Sequence, residues 1–240
     1  MVAREHHQRR QEKSRVPKQE KQEAGTNLDH SARGPKPAHS REKIARVAVE
    51  LADERGLDAV SIRAVAQQIG AGAASIYRYV DSSDQLLDLM VDRVSGEYVF
   101  DELTGSPEGQ LLELAAQGRA IMHAHPWLAP LVQTARVPGP HTLRYLESAL
   151  NALTSTALSG TQKLQTIAML TAITSAFVIN ELSQQNAQPR GVTEVQQALA
   201  SGQYPLLTAA FLQGATTVDQ DEVFGSLIGN YLRGAGVFEA

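Results

Sequence analysis

The stretch SIRAVAQQIGAGAASIYRYVDSSDQLLDLM, residues 61–90, decides the fold. It begins with apolar residues at i, i+3, i+4 and i+7, the pattern of an amphipathic helix: Ile62, Val65, Ala66 and Ile69. Ser61 is placed to cap this helix and Gly70 to end it. The next ten residues, 71–80, carry small side chains first and then Tyr, Arg and Tyr in succession. This order predicts a short helix that keeps its backbone bare and presents polar side chains.

Both flanks of this stretch are helical in pattern. Upstream, an amphipathic stripe of Ile44, Val47, Ala48 and Leu51 follows Ser40 and stops at Gly56. Downstream, Ser82 and Gln85 have the spacing of a capping box and open a helix with Leu86, Met90 and Val94 on one face. Two short helices joined by a glycine turn and braced by a longer helix on each side indicate a helix-turn-helix.

The short helix has the residues that a DNA-reading helix needs. A recognition helix enters a major groove about 12 Å wide, with its side chains at base edges and its backbone close to phosphates. Ala73 and Ala74 permit that approach, and Ile76 with Val80 would anchor the helix inward. The candidates for DNA contact here are Ala73, Ala74, Ser75, Tyr77, Arg78 and Tyr79. A plain surface helix with small residues is the alternative interpretation of this decapeptide alone.

The rest of the chain also has helical patterns, with no convincing alternation at period two. We expect helices near residues 108–124, 127–134, 140–157, 161–186, 204–213 and 219–234, separated by prolines and by the polar loop QQNAQPRG. The sequence therefore predicts an all-α fold. It combines a three-helix N-terminal helix-turn-helix domain with a C-terminal helical domain.

Composition limits where such a protein works. The 240 residues include no cysteine, so disulfides and thiolate metal sites are excluded and the reducing cytoplasm is expected. The most apolar run, residues 167–179, is shorter than a membrane span needs, so we expect a buried helix and no membrane partner. Residues 1–39 are polar and net basic with almost no large apolar side chain, which predicts a disordered tail.

Residues 61–90 resemble the DNA-binding domain of the tetracycline-repressor (TetR) family of bacterial regulators. The Ala-rich second helix, the Gly70 turn, the small residues before Ile76 and Tyr77, and the capped helix with Leu86 and Leu87 match together. The resemblance covers residues 40–98 strongly and the C-terminal half more loosely. It implies a DNA-binding domain over residues 40–85 and a ligand-binding and dimerisation domain over residues 86–240.

The resemblance also implies roles for individual residues in DNA binding. The position of Arg63 reaches a base or the backbone in the family, and Ser61 lies at the start of the same helix. Arg41, early in the first helix, is expected to attract phosphates. The family commonly has a Lys at the start of the fourth helix where this chain has Ser83. The helix N-terminus can still bind a phosphate there, but we expect a shallower salt dependence.

The C-terminal half offers material for a small-molecule pocket but none for catalysis. Apolar and polar residues that could line a pocket are Met122, His123, Trp127, His141, Tyr145, Asn151, Thr174, Phe177 and Asn180. His123 and His125 are two residues apart on a helix and point in different directions, so they cannot chelate a metal together. No nucleophile–base set and no glycine phosphate loop is present, so we expect no catalytic residue, no metal and no cofactor.

The family resemblance implies a homodimer, and two apolar helices are its expected interface: Leu164, Ile167, Leu170, Leu227, Ile228 and Tyr231. A two-fold dimer predicts an inverted-repeat DNA operator. The sequence thus favours a ligand-responsive transcriptional regulator, with double-stranded DNA, a small effector and a second copy as partners. Two alternatives stay open: a constitutive DNA-binding protein, or a helical carrier or enzyme with a vestigial DNA head.

Overall fold

The computed structural model describes residues 39–134, 136–185, 192–213 and 219–237. Within these ranges the chain is all-α, as predicted, and has no β-strand. Its helices are α1 Arg41–Arg55, α2 Ile62–Ile69, α3 Ala73–Ile76, α4 Ser83–Ser95, α5 Pro107–Ala124, α6 Leu128–Leu131, α7 Pro140–Ala152, α8 Gly160–Gln185, α9 Val192–Ala200, α10 Pro205–Gln213 and α11 Gln220–Gly234. The predicted tail, residues 1–39, lies outside the described residues except for His39.

Local caps set three of the first four helices, α1, α2 and α4, because hydroxyl side chains bind the free amides of their first turns. Ser40 accepts from the Lys43 amide, Ser61 from Ala64 and Ser82 from Gln85, each at 3.1 Å. In turn, the side-chain oxygen of Gln85 accepts a hydrogen bond from the amide of Asp81, the residue before the cap. Gly70 ends α2 with φ +76°, a left-handed conformation that favours glycine. The capping signals of the sequence are therefore confirmed.

Two predicted helices are shorter in the structure than expected. α7 ends at Ala152 instead of 157, because the Thr154 and Thr156 hydroxyls donate back to the carbonyls of Asn151 and Leu153. α6 covers only Leu128–Leu131, and the Thr134 hydroxyl closes the following turn on Leu131. α9 was not predicted, and the loop QQNAQPRG lies largely outside the described residues.

Two apolar clusters organise the folded part. The first joins α1–α4 to Met122, Trp127, Leu128 and neighbouring residues of the C-terminal half, and the second joins α5, α7, α8 and α11. We call residues 40–90 the head and residues 91–237 the body. The predicted boundary between residues 85 and 86 falls inside α4, which packs against α1 on the head side and α7 on the body side. One helix therefore belongs to both parts.

Candidate DNA interface, effector cavity and dimer face

The segment after Gly70 is held on one side and open on the other. Ile76 and Val80 are fully buried in the head, as expected for the inward anchor. Tyr77 keeps 51% of its surface exposed, and Ala74 and Arg78 are also exposed. The helix itself is a single turn, Ala73–Ile76, with Gly72 at its start. An apolar anchor therefore fixes a short polar ridge that faces outward.

The other predicted DNA-contact residues differ in whether their side chains already make hydrogen bonds within the protein. Arg63 is exposed on α2, and Ser83 is exposed on the first turn of α4. The Ser61 hydroxyl caps α2, and the Ser75 hydroxyl donates to the Gly72 carbonyl at 2.6 Å. These two hydroxyls already stabilise the turn, and each still has lone pairs to accept a further bond.

Three predicted contact residues are placed differently from the expectation. Tyr79 is half-buried and packs against the apolar cluster of the head instead of standing beside Tyr77, and Ala73 also packs there. Arg41 donates from Nε to the Tyr79 carbonyl at 2.9 Å, so its guanidinium ties α1 to the end of the ridge. The local sequence gave no sign of this bond, because it joins residues 38 positions apart.

The body contains a small cavity between α4, α5, α6, α7 and α8. Its volume is about 80 Å³, and its walls are Val91, Val94, Ser95, Tyr98, Ile121, Leu128, Val132, Thr142, Tyr145 and Thr171. The Tyr145 and Thr171 hydroxyls lie 3.2 Å apart, within hydrogen-bonding distance. Burial raises the pKa of Tyr98 well above its ordinary value, and the neighbouring Tyr145 adds to this shift. The cavity is thus largely apolar, with neutral hydroxyl groups on its walls.

Of the predicted ligand residues, only Tyr145 lines this cavity. Met122 and Trp127 lie in the first apolar cluster, where the Trp127 indole donates to Asp53 at 2.6 Å. The Thr174 hydroxyl donates to the Leu170 carbonyl of its own helix. The exposed residues of the predicted set are His141, Asn151 and Asn180. None of these side chains lines the cavity, and two of them line open grooves elsewhere, His141 beside Arg41 and Asn151 beside Phe100. Their ligand roles stay predictions.

The polar cavity residues that the sequence analysis missed are Ser95, Tyr98, Thr142 and Thr171. Thr142 and Tyr145 are three residues apart on α7, so they share a face of that helix. That spacing is the sequence signal that could have placed Thr142 beside Tyr145 in the cavity. Thr171 and Thr174 have the same spacing on α8, however, and only the first reaches the cavity.

A charged network lies beside the cavity helices and includes His123 of the predicted set. The Arg119 guanidinium binds Glu181 at 2.6 and 3.0 Å and Asp221 at 2.7 Å, and His123 Nε2 lies 2.8 Å from Glu181. Phe177, also of the predicted set, and Phe224 flank the guanidinium at 5.3 and 5.0 Å.

The network shifts the pKa of both partners in its central pair. Burial tends to raise the pKa of Glu181, but hydrogen bonds from Arg119 and His123 outweigh it and lower that pKa below its ordinary value. The hydrogen bond to Glu181 raises the pKa of Arg119. The pair is therefore charged at neutral pH and ties α5 to α8, while Asp221 adds α11.

The predicted dimer residues divide into two groups. Leu164 is 52% exposed and Leu227 41%, with Tyr231 half-buried beside them. Ile167, Leu170 and Ile228 are buried in the protomer's own core, which corrects their assignment to a partner surface. Among the described residues, α8 alone is long and apolar enough to cross a membrane by length and composition. Only 33% of its 18-residue apolar window is buried. This helix therefore presents an apolar face outside the protomer.

Metal coordination finds no support in the described part of the chain, where no three His, Asp or Glu side chains are grouped to hold an ion.

Comparison with known proteins identifies both halves of the chain. Residues 44–90 match the family model described as bacterial regulatory proteins, tetR family. Residues 102–232 match the model of the tetracyclin repressor-like C-terminal domain. The HTH-type transcriptional repressor DrrR1 of Streptomyces coeruleorubidus is 32% identical over 191 residues, which are 74% of this chain and 71% of that protein. An HTH-type transcriptional regulator of Saccharopolyspora erythraea is 34% identical, over 62% of this chain and 61% of its own.

Solved structures of ActR from Streptomyces coelicolor have the same fold. Apo ActR is 28% identical with a TM-score of 0.69, covering 82% of this chain and 98% of its own. ActR in complex with actinorhodin gives the same identity and TM-score, over 82% of this chain and 96% of its own. The resemblance of residues 61–90 is thereby confirmed, and the chain belongs to the tetR family of transcriptional regulators.

Proposed function

We propose that this regulator is a homodimeric repressor that binds an inverted-repeat operator and releases it when an apolar or amphipathic effector enters the body. The observation that carries the proposal is the double membership of α4. Leu86 and Met90 are buried in the head core, while Val91 and Val94 line the cavity. A displacement of the cavity wall is therefore also a displacement of the DNA-reading head.

The head supplies the DNA contacts. Tyr77 keeps half of its surface exposed on the ridge, and Arg63 of α2 and Arg78 are exposed cations of the head. Arginine side chains bind phosphates or guanine, and small residues let the backbone approach the groove. Ala74 is exposed and Ala73 packs against the head cluster. With the small Ala74 at a base-reading position, we expect sequence preference from thymine methyl contacts and DNA shape.

The exposed apolar residues of α8 and α11 support a second copy as partner. Leu164, Met169 and Leu227 are each at least 41% exposed, and α10 adds the exposed Leu206, Phe211 and Leu212. Apolar surface of this kind is typical of subunit interfaces. A two-fold dimer places two heads one DNA turn apart, about 34–36 Å, or a multiple of it.

The effector class follows from the cavity walls and from ActR. Apolar side chains with the hydroxyls of Ser95, Tyr98, Thr142 and Tyr145 suit a ligand that is mainly apolar with a few polar groups. A volume of about 80 Å³ is far below the 300–1,000 Å³ of typical ligand pockets, so the cavity must widen on binding. A coupling of about 1–3 kcal/mol between the sites would change operator affinity about 5–150-fold.

The test is fluorescence anisotropy with DNA from upstream of the protein's own gene, at two salt concentrations and with a scrambled duplex as competitor. We expect two subunits per site and binding that survives competition. Actinorhodin, which ActR binds, is the first effector to add, and we expect it to release the operator. If binding to the operator and to the scrambled duplex weakened equally as salt rises, sequence-specific binding would be contradicted. If every ligand that stabilises the protein left operator binding unchanged or made it tighter, the release model would be contradicted.

The small cavity also favours a second candidate, a constitutive DNA-binding protein whose body is filled by its own side chains. Thermal shift against a panel of apolar compounds separates the two. Stabilisation by a compound that also releases the operator supports the repressor. No stabilisation by any compound supports the constitutive protein. In either case we propose the cytoplasm as its location and no catalytic step.

A further inference from the structure

The first turn of α7 is capped by another helix. Gly139, at its N-cap position, has no side chain to bind the free amides of the first turn. Asp92 of α4 supplies the missing acceptor: its Oδ1 accepts from the Thr142 amide at 2.9 Å and from the Thr142 hydroxyl at 3.2 Å. We call this pair of bonds the Asp92–Thr142 latch.

Gly139 makes room for the latch. A Cβ atom at this position would overlap the Asp92 carboxylate and lie only 2.5 Å from both of its oxygens. Yet the backbone of Gly139, φ −90° and ψ −175°, is an ordinary extended conformation that any residue could adopt. The glycine is therefore required by the approach of Asp92, not by its own backbone. A Ser or Asp at 139 could have capped α7 locally, and the chain instead uses a carboxylate from α4.

Asp92 is only 9% exposed, and a buried carboxylate is costly unless it is hydrogen-bonded. The amide of Thr142 and the positive end of the α7 dipole provide that compensation. Arg41, Arg93 and His141 line the groove beside it without a direct bond to the carboxylate in this structure. The two bonds from Thr142 are therefore the main hydrogen bonds of the Asp92 carboxylate, and they hold α4 against α7.

The latch is continuous with the effector cavity. The Thr142 hydroxyl lies 3.3 Å from the Ser95 hydroxyl, and both residues line the cavity. Val91 and Val94, on either side of Asp92 in sequence, are cavity walls as well. A ligand that widens the cavity by separating α4 from α7 must therefore lengthen or break the two bonds of Asp92.

We propose that the Asp92–Thr142 latch holds α4 in the DNA-binding arrangement and is the contact that effector entry opens. This inference rests on the proposed function, because it assigns a role within the same ligand response. Asp92 acts here as a positioning residue: it touches neither DNA nor the base-reading ridge.

The test separates a latch from a simple helix cap. Asp92→Ala removes both roles, whereas the double variant Asp92→Ala with Gly139→Asp returns a cap to α7 from its own N-cap position and leaves α4 untied. Glu147→Ala, which removes an exposed carboxylate from α7, is the matched control. Readouts are thermal stability, operator affinity by anisotropy, and head-to-head distance by pulsed EPR. The chain has no cysteine, so Glu54→Cys on the exposed end of α1 gives a single labelling site.

We expect both Asp92→Ala proteins to bind the operator at least about fivefold more weakly without any ligand, the low end of typical couplings. The label distances should shift in both, while the double variant regains thermal stability. Recovery of operator affinity together with stability in the double variant would overturn the latch, since Asp92 would then be only a cap. If the alanine variant does not fold, the double variant, which keeps a cap on α7, carries the test alone. Wild-type operator affinity in the double variant would overturn the proposal.

Failure of the proposed function has a different signature. The repressor dimer would be disproved if the wild-type protein did not prefer its operator over scrambled DNA. It would also be disproved if the Glu54→Cys protein, once labelled, showed no EPR distance between two subunits. An intact operator response with unchanged latch variants would disprove only the latch.

Discussion

The interior of the head is wholly apolar, whereas the interior of the body combines apolar side chains with buried polar ones. In residues 41–90 every buried side chain is apolar, with Ile44, Val65, Ile76 and Val80 among the most buried. Every buried polar or charged side chain in the described residues lies beyond that segment: Asp92, His125, Thr156, Thr166, Thr174, Ser175 and Glu181.

This difference suits the head to DNA recognition and the body to ligand response. Apolar packing gains most from one close-packed arrangement, so the head is suited to hold a fixed ridge toward DNA. Hydrogen bonds are pairwise, and a donor or acceptor can exchange one partner for another, including a ligand. Polar contacts such as Asp92 to Thr142 and Tyr145 to Thr171 therefore give the body defined positions that a ligand can change.

The largest expected effect tests the apolar head. Ile76→Ala removes a fully buried side chain under the ridge and should lower the free energy of unfolding by about 4 kcal/mol. Urea denaturation followed by circular dichroism measures it. Ile69→Ala, at a half-buried site of α2, is the control and should cost less. A loss below about 1 kcal/mol for Ile76→Ala would mean that the head repacks freely, against the comparison.

The next effect tests the polar body. Glu181→Gln keeps the shape but removes the charge that Arg119 and His123 bind, and should cost about 2 kcal/mol at neutral pH. Because the pKa of Glu181 is lowered in the folded state, its charge stabilises fully above the ordinary value of 4.5 and loses that effect as the pH falls through the lowered pKa.

Thermal melts of both proteins between neutral and acidic pH check this sign. The difference in stability between wild type and Glu181→Gln should stay constant down to about pH 4.5 and shrink below it. A difference that grew on acidification would show that the carboxyl is protonated in the native body.

How far the sequence could predict these regions also differs. The helices and caps of the head could be predicted, because their signals are local: the Ser40, Ser61 and Ser82 hydroxyls each accept from an amide three residues ahead. The cavity was not, because a helix that is apolar on most faces does not show which face meets which neighbour. Thr171 and Thr174 illustrate this, since both hydroxyls donate to a carbonyl of their own helix and only Thr171 also lies within reach of Tyr145.

The DNA ridge gives a moderate effect. Tyr77→Ala should weaken operator binding about tenfold, or about 1.4 kcal/mol, without changing thermal stability, because the ring is half exposed. Tyr204→Ala, at a tyrosine with 49% exposure far along the chain, is the matched control and should bind like wild type. Anisotropy titration decides it, and equal affinities for all three proteins would remove Tyr77 from the interface.

The smallest effect belongs to the surface of the head. Arg46 and Glu50 form an ion pair at 2.7 Å in which both side chains are about half exposed. Glu50→Gln should change the free energy of unfolding by less than about 0.5 kcal/mol, because solvent screens exposed pairs. Chemical denaturation at low and high salt measures it. A loss near that of Glu181→Gln would erase the contrast between surface charge and the charges inside the body.

The double membership of α4 decides how hybrid regulators can be assembled. A graft that joins one protein's head to another's body before Ser82 would bring foreign residues at 86 and 90 into the head core. A joint after Ser95 would instead transplant one whole wall of the sensor. A splice between Met90 and Val91, where the family model for the head ends, keeps Leu86 and Met90 with the head and leaves Val91 with the cavity that it lines. Val91 and Val94 also belong to the first apolar cluster, so the grafted body must supply apolar residues at both positions. Each residue advances a helix by about 100°. A hybrid joined there must therefore keep the number of residues in α4 unchanged, since one inserted or deleted residue would turn the rest of the helix away from its neighbours.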